Sequence, residues 1–209
     1  MPCRPTPSSR LKARRKPVIR APAATIGSCT AASCAPTGPL QLPTPALSNA
    51  AFTSLELRAA LSQFATGVTI ITTLDGKGQP IGFTANSFNS VSLDPPLILW
   101  SVKSSSNSMP AFEACASFAV NVLSGEQRLL AERFASKAAD RFSGVEWRVG
   151  AGGSPVLEGV ASVFECKVRS RYPEGDHVIY VGEVLHCSRR LGAAPLVFWG
   201  GRFFEELGG

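Results

Sequence analysis

The sequence predicts a mainly β fold, an antiparallel barrel of the Greek-key type with short helices. Six or seven apolar, β-branched runs are spaced along residues 68–204, and runs of this kind between Gly, Pro and Asp residues are typical of strands. The helical stretches between them are short and do not alternate regularly with the strands, which disfavours a doubly wound nucleotide-binding fold. Neither GxGxxG nor GxxxxGK[ST] occurs in the chain, so no phosphate-loop motif favours that fold either.

The first elements of the body are predicted to be a helix and a hairpin. Thr53 and Glu56 form a capping-box pattern ahead of an apolar-periodic stretch that Gly67 ends, which predicts a short helix. The run Val68–Leu74, the turn signal Asp75-Gly76 and the run from Ile81 onward predict a β-hairpin.

The remaining elements follow from the same signals. Asp94-Pro95-Pro96 breaks the chain before a buried strand at Leu97–Trp100. Ser124 and Gln127 form a second capping box, which predicts a helix through Phe134. The other predictions are a helix at Asn107–Ala116, a strand at Phe118–Leu123, a Gly-rich loop at 150–153, long strands near 160–171 and 177–188, and short strands at Leu196–Trp199 and Arg202–Phe204.

Residues 1–50 differ in composition from residues 51–209, and the chain is divided there into a tail and one domain. The tail holds nine of the 16 prolines and has no apolar period, so it is predicted to be disordered. It is Arg-rich and acid-free, which is also typical of an organelle transit peptide, although its prolines oppose the amphipathic helix of such a peptide. A meaningless extension, a targeting segment and a basic arm that contacts a partner stay open, with the first favoured.

The basic charge of the chain belongs to the tail. The tail has seven basic residues and no acidic one, whereas the body has 14 basic against 15 acidic residues. A body without a basic surface is not expected to bind nucleic acid. No apolar run is long enough for a transmembrane helix, so no membrane association is expected.

The six cysteines indicate a reducing compartment. Cys3, Cys29 and Cys34 lie in the tail; Cys115, Cys166 and Cys187 lie in the body. None forms a CxxC and no Cys/His set has zinc spacing, so free thiols, no metal site and a cytoplasmic protein are predicted, with organelle targeting as the less favoured alternative. Cys166 and Cys187 lie in strand-like runs, where a thiol usually behaves as a small hydrophobic side chain.

Three polar features are candidates for a binding site. The stretch Gly82–Ser90 places hydroxyls and amides between apolar faces, so it either contacts a flat ligand or is a polar edge strand. The cluster from Ser101 to Ser108 combines Lys103 with several hydroxyls before a helix, as in a phosphate-binding loop, although most Ser-rich loops are only loops. His177 follows Gly175-Asp176 at the start of a strand; such a histidine is usually structural, but it can also donate to a ligand.

The order of these motifs resembles the short-chain flavin reductase family, the reductase components of two-component flavin monooxygenases. The similarity covers about residues 55–207. It is carried by these segments: Phe64–Thr69, Gly82–Phe88, Val91–Leu97, Phe118–Leu123, Gly175–His177, Gly182–Val184 and Pro195-Leu196.

The resemblance implies an FMN-binding split barrel that forms a homodimer and binds the flavin near the subunit interface. It implies hydride transfer from NADH or NADPH to FMN, or to FAD, in an enzyme that supplies reduced flavin to a partner monooxygenase. His177 would lie beside the nicotinamide, and no covalent catalytic residue is implied. The implied flavin-binding residues are Thr84, Ala85, Asn86, Ser87, Ser101, Lys103, Ser106 and Ser108.

Two alternatives stay open. Related folds include non-catalytic flavin- or heme-binding proteins, and fold alone does not determine function. A weaker alternative is a scaffold subunit of a monooxygenase that binds its oxygenase without turnover. The choice between FMN and FAD, between NADH and NADPH, and between flavin as substrate and flavin as bound cofactor depends on details of the pocket.

Overall fold

The structure is a computed structural model that describes residues 51–138 and 140–206. The predicted disordered tail, with Cys3, Cys29 and Cys34, lies outside the described residues. The helices are α1 (Ser54–Leu61), α2 (Met109–Ala114) and α3 (Arg128–Ala135), and a 3-10 turn at Gly125–Gln127 precedes α3. The strands are β1 (Thr66–Gly67), β2 (Thr69–Leu74), β3 (Pro80–Ala85), β4 (Asn89–Leu93), β5 (Pro96–Lys103), β6 (Ser117–Val122), β7 (Trp147–Val149), β8 (Pro155–Leu157), β9 (Ser162–Glu174), β10 (His177–Arg189), β11 (Val197–Trp199) and β12 (Arg202–Phe204).

A seven-stranded antiparallel sheet forms the body, in the order β3-β2-β6-β9-β10-β5-β4. The mainly β, antiparallel fold predicted from the sequence is therefore confirmed. Small sheets of β1-β11-β12 and of β7-β8 complete the described strands. The edge strands β3 and β4 are joined by residues 86–88 alone, so this short segment brings the two edges of the sheet towards each other. No helix of the described residues is long and apolar enough to cross a membrane.

The long hairpin of β9 and β10 lies in the middle of the sheet. The two strands pair from Ser162–Arg189 to Glu174–His177, and the two-residue turn Gly175-Asp176 joins them. Gly175 has φ 58°, a value that glycine adopts without the cost a Cβ would add. This turn places His177 at the mouth of the hairpin.

Two apolar clusters lie against the sheet. The larger one contains Trp100 stacked on Tyr180, with ring centroids 4.3 Å apart, and α2 contributes Phe112. At Gly182 of β10 a Cβ would lie 2.4 Å from Phe118 Cζ, so only glycine lets the ring pack there. The smaller cluster is covered by α3 through Ala131 and Phe134.

Several boundaries differ from the predictions. The predicted strand at Leu97–Trp100 extends to Lys103, because the polar residues after Trp100 pair with β10. The predicted polar strand 82–90 is interrupted after Ala85 and resumes as β4 at Asn89. The predicted Gly-rich loop is the turn of the hairpin β7-β8, whose three-residue strands are too short to show a period. The second helix is six residues long rather than ten.

Exposure corrects two further expectations. Cys166 is buried, as a small hydrophobic residue would be, but Cys187 is exposed, and all three described cysteines are free thiols. The first helix has its capping box, with the hydroxyl of Thr53 accepting from the Glu56 amide, yet it buries none of its residues. It ends at Leu61, and Leu55, Leu61 and Phe64 stay largely exposed.

Candidate functional site

The short connection between β3 and β4 is attached to β5 through two predicted site residues. The hydroxyl of Ser87 donates to the Ser101 carbonyl oxygen at 3.1 Å and accepts from the Ser101 amide at 3.0 Å. The segment that follows β3 and the polar cluster that begins at Ser101 are therefore neighbours, although 14 positions separate these two serines.

Lys103 and His177 also lie side by side. They are cross-strand partners at the ends of β5 and β10. Asp176 joins them, since its Oδ1 lies 2.7 Å from His177 Nδ1 and its Oδ2 lies 3.7 Å from Lys103 Nζ. The hydrogen bond to His177, together with the charges of His177 and Lys103, holds the pKa of Asp176 below its ordinary value. All three side chains are substantially exposed.

The backbone between Lys103 and α2 is held in turns. The Ser106 amide donates to the Lys103 carbonyl, and the Met109 amide to the Ser106 carbonyl, both at 2.9 Å. The Ser108 amide donates to the Ser106 hydroxyl at 3.3 Å. Lys103 is exposed, Ser106 half-buried and Ser108 buried, so the segment runs from solvent into the protein.

Most polar groups at the end of β3 make hydrogen bonds within the protein. The Thr84 hydroxyl donates to the Ala131 carbonyl of α3 at 2.6 Å, and the Ala85 carbonyl accepts from the Thr69 hydroxyl at 2.7 Å. Ala85 is buried. Asn86 is exposed, and its amide makes no hydrogen bond within residues 51–138 and 140–206. Of the segment Thr84–Ser87, Asn86 is therefore the side chain that is free to bind a ligand.

Arg141 is a component of this region that the sequence reasoning missed. Its Nη1 donates to the Gly82 carbonyl at 2.8 Å and to the Ser108 hydroxyl at 3.4 Å. Burial lowers the pKa of its guanidinium. Arg141 and Ser108 line a cavity of about 350 Å³. Arg141 lies 59 positions from Gly82 in a stretch without a motif, so no local signal marked it.

The structure thus brings the predicted residues other than Thr84 and Ala85 into one polar strip. It runs from Asn86 through Ser87 and Ser101 to Lys103 and His177, and along residues 104–108 to Arg141. The hydrogen bonds of the described residues connect His177 to Asp176 alone, which is no arrangement for activating a nucleophile. Among those same residues, no group of three His, Cys, Asp or Glu side chains is placed to hold a metal ion. An exposed amide, hydroxyls and cations in a row instead suit a flat, polar ligand with a phosphate group.

Comparison with known families identifies the family of the chain. The family described as "Flavin reductase like domain" matches residues 61–206. The chain belongs to this family. The family predicted from the motif order is therefore confirmed, and the match includes all of the residues singled out above.

Individual relatives agree with the family. The FMN reductase (NADH) of Agrobacterium fabrum is 46% identical over 72% of this chain and 84% of its own length. The reductase subunit of a flavin-dependent monooxygenase of Rhodococcus jostii is 41% identical over 70% of this chain and 74% of its own. Another relative, from Rhizobium meliloti, is 48% identical, but the matched part is only 41% of its length.

A solved structure supports the same assignment. The NADH:FAD oxidoreductase of Streptomyces globisporus, in complex with NAD and FAD fragments, has a TM-score of 0.69 and 38% identity to this flavin reductase family member. The similarity covers 73% of this chain and 92% of that protein.

Proposed function

We propose that this flavin reductase family member is an NAD(P)H:flavin oxidoreductase that reduces FMN or FAD and supplies the reduced flavin to a partner monooxygenase. The observation that carries the proposal is the polar strip, in which amide, hydroxyl and cationic groups lie next to the exposed histidine His177. The names of the relatives support catalysis over a non-catalytic flavin- or heme-binding protein.

Different residues of the polar strip would bind different parts of the flavin. In this proposal the exposed Asn86 would hydrogen-bond the flavin ring, and the Ser87–Ser101 pair would fix the backbone on which the ring rests. Lys103, Ser106 and Ser108 would hold the phosphate end. Thr84 and Ala85 act through the backbone, because the hydroxyl of one is already bonded and the side chain of the other is buried.

The chemistry belongs to the cofactors. A bound flavin supplies the acceptor for the hydride of the nicotinamide, so the protein needs no nucleophile of its own. His177 supplies an oriented hydrogen-bonding group next to the polar strip. With Nδ1 held by Asp176, its Nε2 is directed away from that partner and is available to the nicotinamide.

We propose NADH as the preferred donor and a homodimer as the active form. Two relatives are named for NADH. Large exposed apolar side chains lie on β4 and β10, among them Leu93, at 94% exposure, Val91 and Leu185. Large exposed apolar side chains are typical of a protein interface, and a second subunit there would remove these side chains from water. Sedimentation of the full chain tests this, and a monomer at micromolar concentration contradicts it.

The first experiment is a turnover assay on the full chain. NADH and NADPH oxidation is followed with FMN, with FAD and without added flavin. Flavin-dependent oxidation establishes the reductase, and its dependence on added flavin separates a flavin substrate from a bound cofactor. Bound flavin without NADH or NADPH oxidation would instead assign the chain to the non-catalytic binding proteins.

The cellular compartment of the protein and the role of residues 1–50 are tested by a separate experiment. We propose a cytoplasmic protein whose residues 1–50 have no targeting role. A fluorescent protein fused behind residues 1–50 is expected to stay in the cytoplasm, and its accumulation in an organelle would assign the tail as a transit peptide.

A further inference from the structure

The segment between Lys103 and Ser108 has a positively charged side chain at each end. At one end, Lys103 extends into solvent 3.7 Å from Asp176 Oδ2. At the other end, Arg141 Nη1 lies 3.4 Å from the Ser108 hydroxyl. An anion bound along the segment from Lys103 to Ser108 could therefore pair with Lys103 or with Arg141.

Lys103 has a carboxylate as counter-ion, whereas Arg141 has none among the described residues. Lys103 shares its charge with the carboxylate of Asp176. Arg141 donates only to neutral oxygens, twice to the Ser136 carbonyl at 3.1 and 2.6 Å and once each to Gly82 and Ser108. Within residues 51–138 and 140–206 no carboxylate oxygen lies within 4 Å of its guanidinium. A partly buried cation without a counter-ion is costly, and a bound anion would offset that cost.

The guanidinium also faces free space. The cavity of about 350 Å³ is lined by Gly82, Asn107, Ser108, Lys137 and Arg141, among others. Among the described lining residues the one acidic side chain is Asp140, whose Oδ1 already accepts from the amides of Phe142 and Ser143 at 3.0 Å. With Lys137 and Arg141 against this carboxylate, the described lining is net positive.

Arg141 has one donor left for a ligand. A guanidinium has five N–H groups. The four hydrogen bonds above use Nε, one hydrogen of Nη2 and both hydrogens of Nη1. Among the described residues the second Nη2 hydrogen has no acceptor, and the bond to Ser108 orients that hydroxyl at the cavity wall. The four existing bonds hold the guanidinium in place before any ligand arrives.

We infer that the cavity beside Ser108 binds the phosphate of the flavin, with Arg141 as its main cation, Lys137 at its rim and Lys103 in a lesser role. The inference rests on the proposed function and specifies its phosphate site. It differs from the expectation drawn from the resemblance, in which Lys103 is the only cation of the phosphate site.

Direct binding of FMN and of riboflavin, which lacks the phosphate, tests this inference. Flavin fluorescence is titrated with the wild type and with Arg141→Met, Lys137→Met and Lys103→Ala. Loss of a charge-assisted bond is expected to raise the Kd for FMN about 10- to 100-fold in Arg141→Met. The exposed Lys137→Met and Lys103→Ala are each expected to raise it only about two- to fivefold. The Kd for riboflavin should stay within about twofold throughout.

Arg133→Met is the matched control for loosening of the loop. Arg133 donates to the Ser143 carbonyl at 2.8 Å, so it supports the same loop without lining this cavity. Its FMN affinity should equal that of the wild type. Arg141→Lys keeps the charge and should recover part of the FMN affinity.

Three results would overturn the inference. They are equal losses of FMN and riboflavin binding in Arg141→Met, a larger loss of FMN binding in Lys103→Ala than in Arg141→Met, and a raised KM for NADH in Arg141→Met with riboflavin as acceptor. The last result would assign the cavity to the nicotinamide dinucleotide. A wild type that binds FMN tightly but oxidises neither NADH nor NADPH would contradict the proposed function alone and leave the phosphate site standing.

Discussion

Two polar networks lie on the same sheet and behave in opposite ways. The buried network is centred on Asn121 of β6, whose amide donates to the Ile70 carbonyl and the Thr72 hydroxyl at 3.0 Å and accepts from the Leu157 amide at 2.9 Å. The exposed network is Lys103, Asp176 and His177. Asn121 is fully buried, whereas the three side chains of the exposed network are 45–71% exposed.

The difference shows how to separate structural from functional polar residues. The buried network has its partners within the protein and connects β2, β6 and β8, so it stabilises the sheet. The exposed network keeps donors in solvent, where a ligand can reach them. Both networks include polar residues of otherwise apolar strands, and the burial of the networks distinguishes them.

The largest expected effect comes from breaking the buried network. Asn121→Leu keeps the number and branching of the side-chain heavy atoms but leaves the Leu157 amide and the Thr72 hydroxyl without this partner in the core. We expect the free energy of unfolding to fall by about 3 kcal/mol, measured by urea denaturation. Asn89→Leu, at the exposed start of β4, is the control and should change it by less than about 0.5 kcal/mol. Equal stabilities of the two variants would contradict the structural role of Asn121.

The next effect comes from the exposed network and should leave stability unchanged. His177→Ala is expected to lower kcat/KM for NADH about tenfold, the equivalent of one hydrogen bond, while the Kd for FMN is retained. His186→Ala, on the same strand and also exposed, is the control. An unchanged KM and kcat for NADH in His177→Ala would rule out its place at the nicotinamide.

Asp176 should have a smaller effect of the same kind. Asp176→Asn keeps the shape but weakens the bond that orients His177, so a rise of about threefold in KM for NADH is expected at pH 7.

Because the pKa of Asp176 is lowered, its contribution to stability is present above the ordinary aspartate range and is lost as pH falls through the lowered pKa. Wild type and variant should therefore become equally stable in strong acid. Asp75→Asn, in the β2-β3 turn, should not change KM.

The smallest effect is expected at Lys103, whose charge Asp176 already shares. Lys103→Ala should weaken FMN and FAD about two- to fivefold and spare riboflavin, as fluorescence titration would show. Lys77→Ala, an exposed lysine in another turn, should change none of the three. Equal losses for all three flavins would place Lys103 outside the phosphate site.

The candidate site was predictable where its signal is local. The turn Gly175-Asp176 places His177 at a strand mouth because a two-residue turn with a leading glycine closes a hairpin. The polar residues Ser101 to Ser108 were visible as a cluster, but the extension of β5 to Lys103 was not, because it depends on pairing with β10. The short strands β7 and β8 left no period to recognise.

The order of motifs and the periodicity of the apolar runs determined the family and the mainly β fold, because each strand, cap and turn depends on neighbouring residues. Which polar groups remain free was decided by the tertiary structure alone. Thr84 and Asn86 are both polar residues of the same short segment. The Thr84 hydroxyl nevertheless donates to a carbonyl of α3, whereas the Asn86 side chain is exposed to solvent. Arg141 reaches Ser108 and Gly82 only because the folded chain brings distant segments together, and a charge without a counter-ion can be recognised only when all of its neighbours are known.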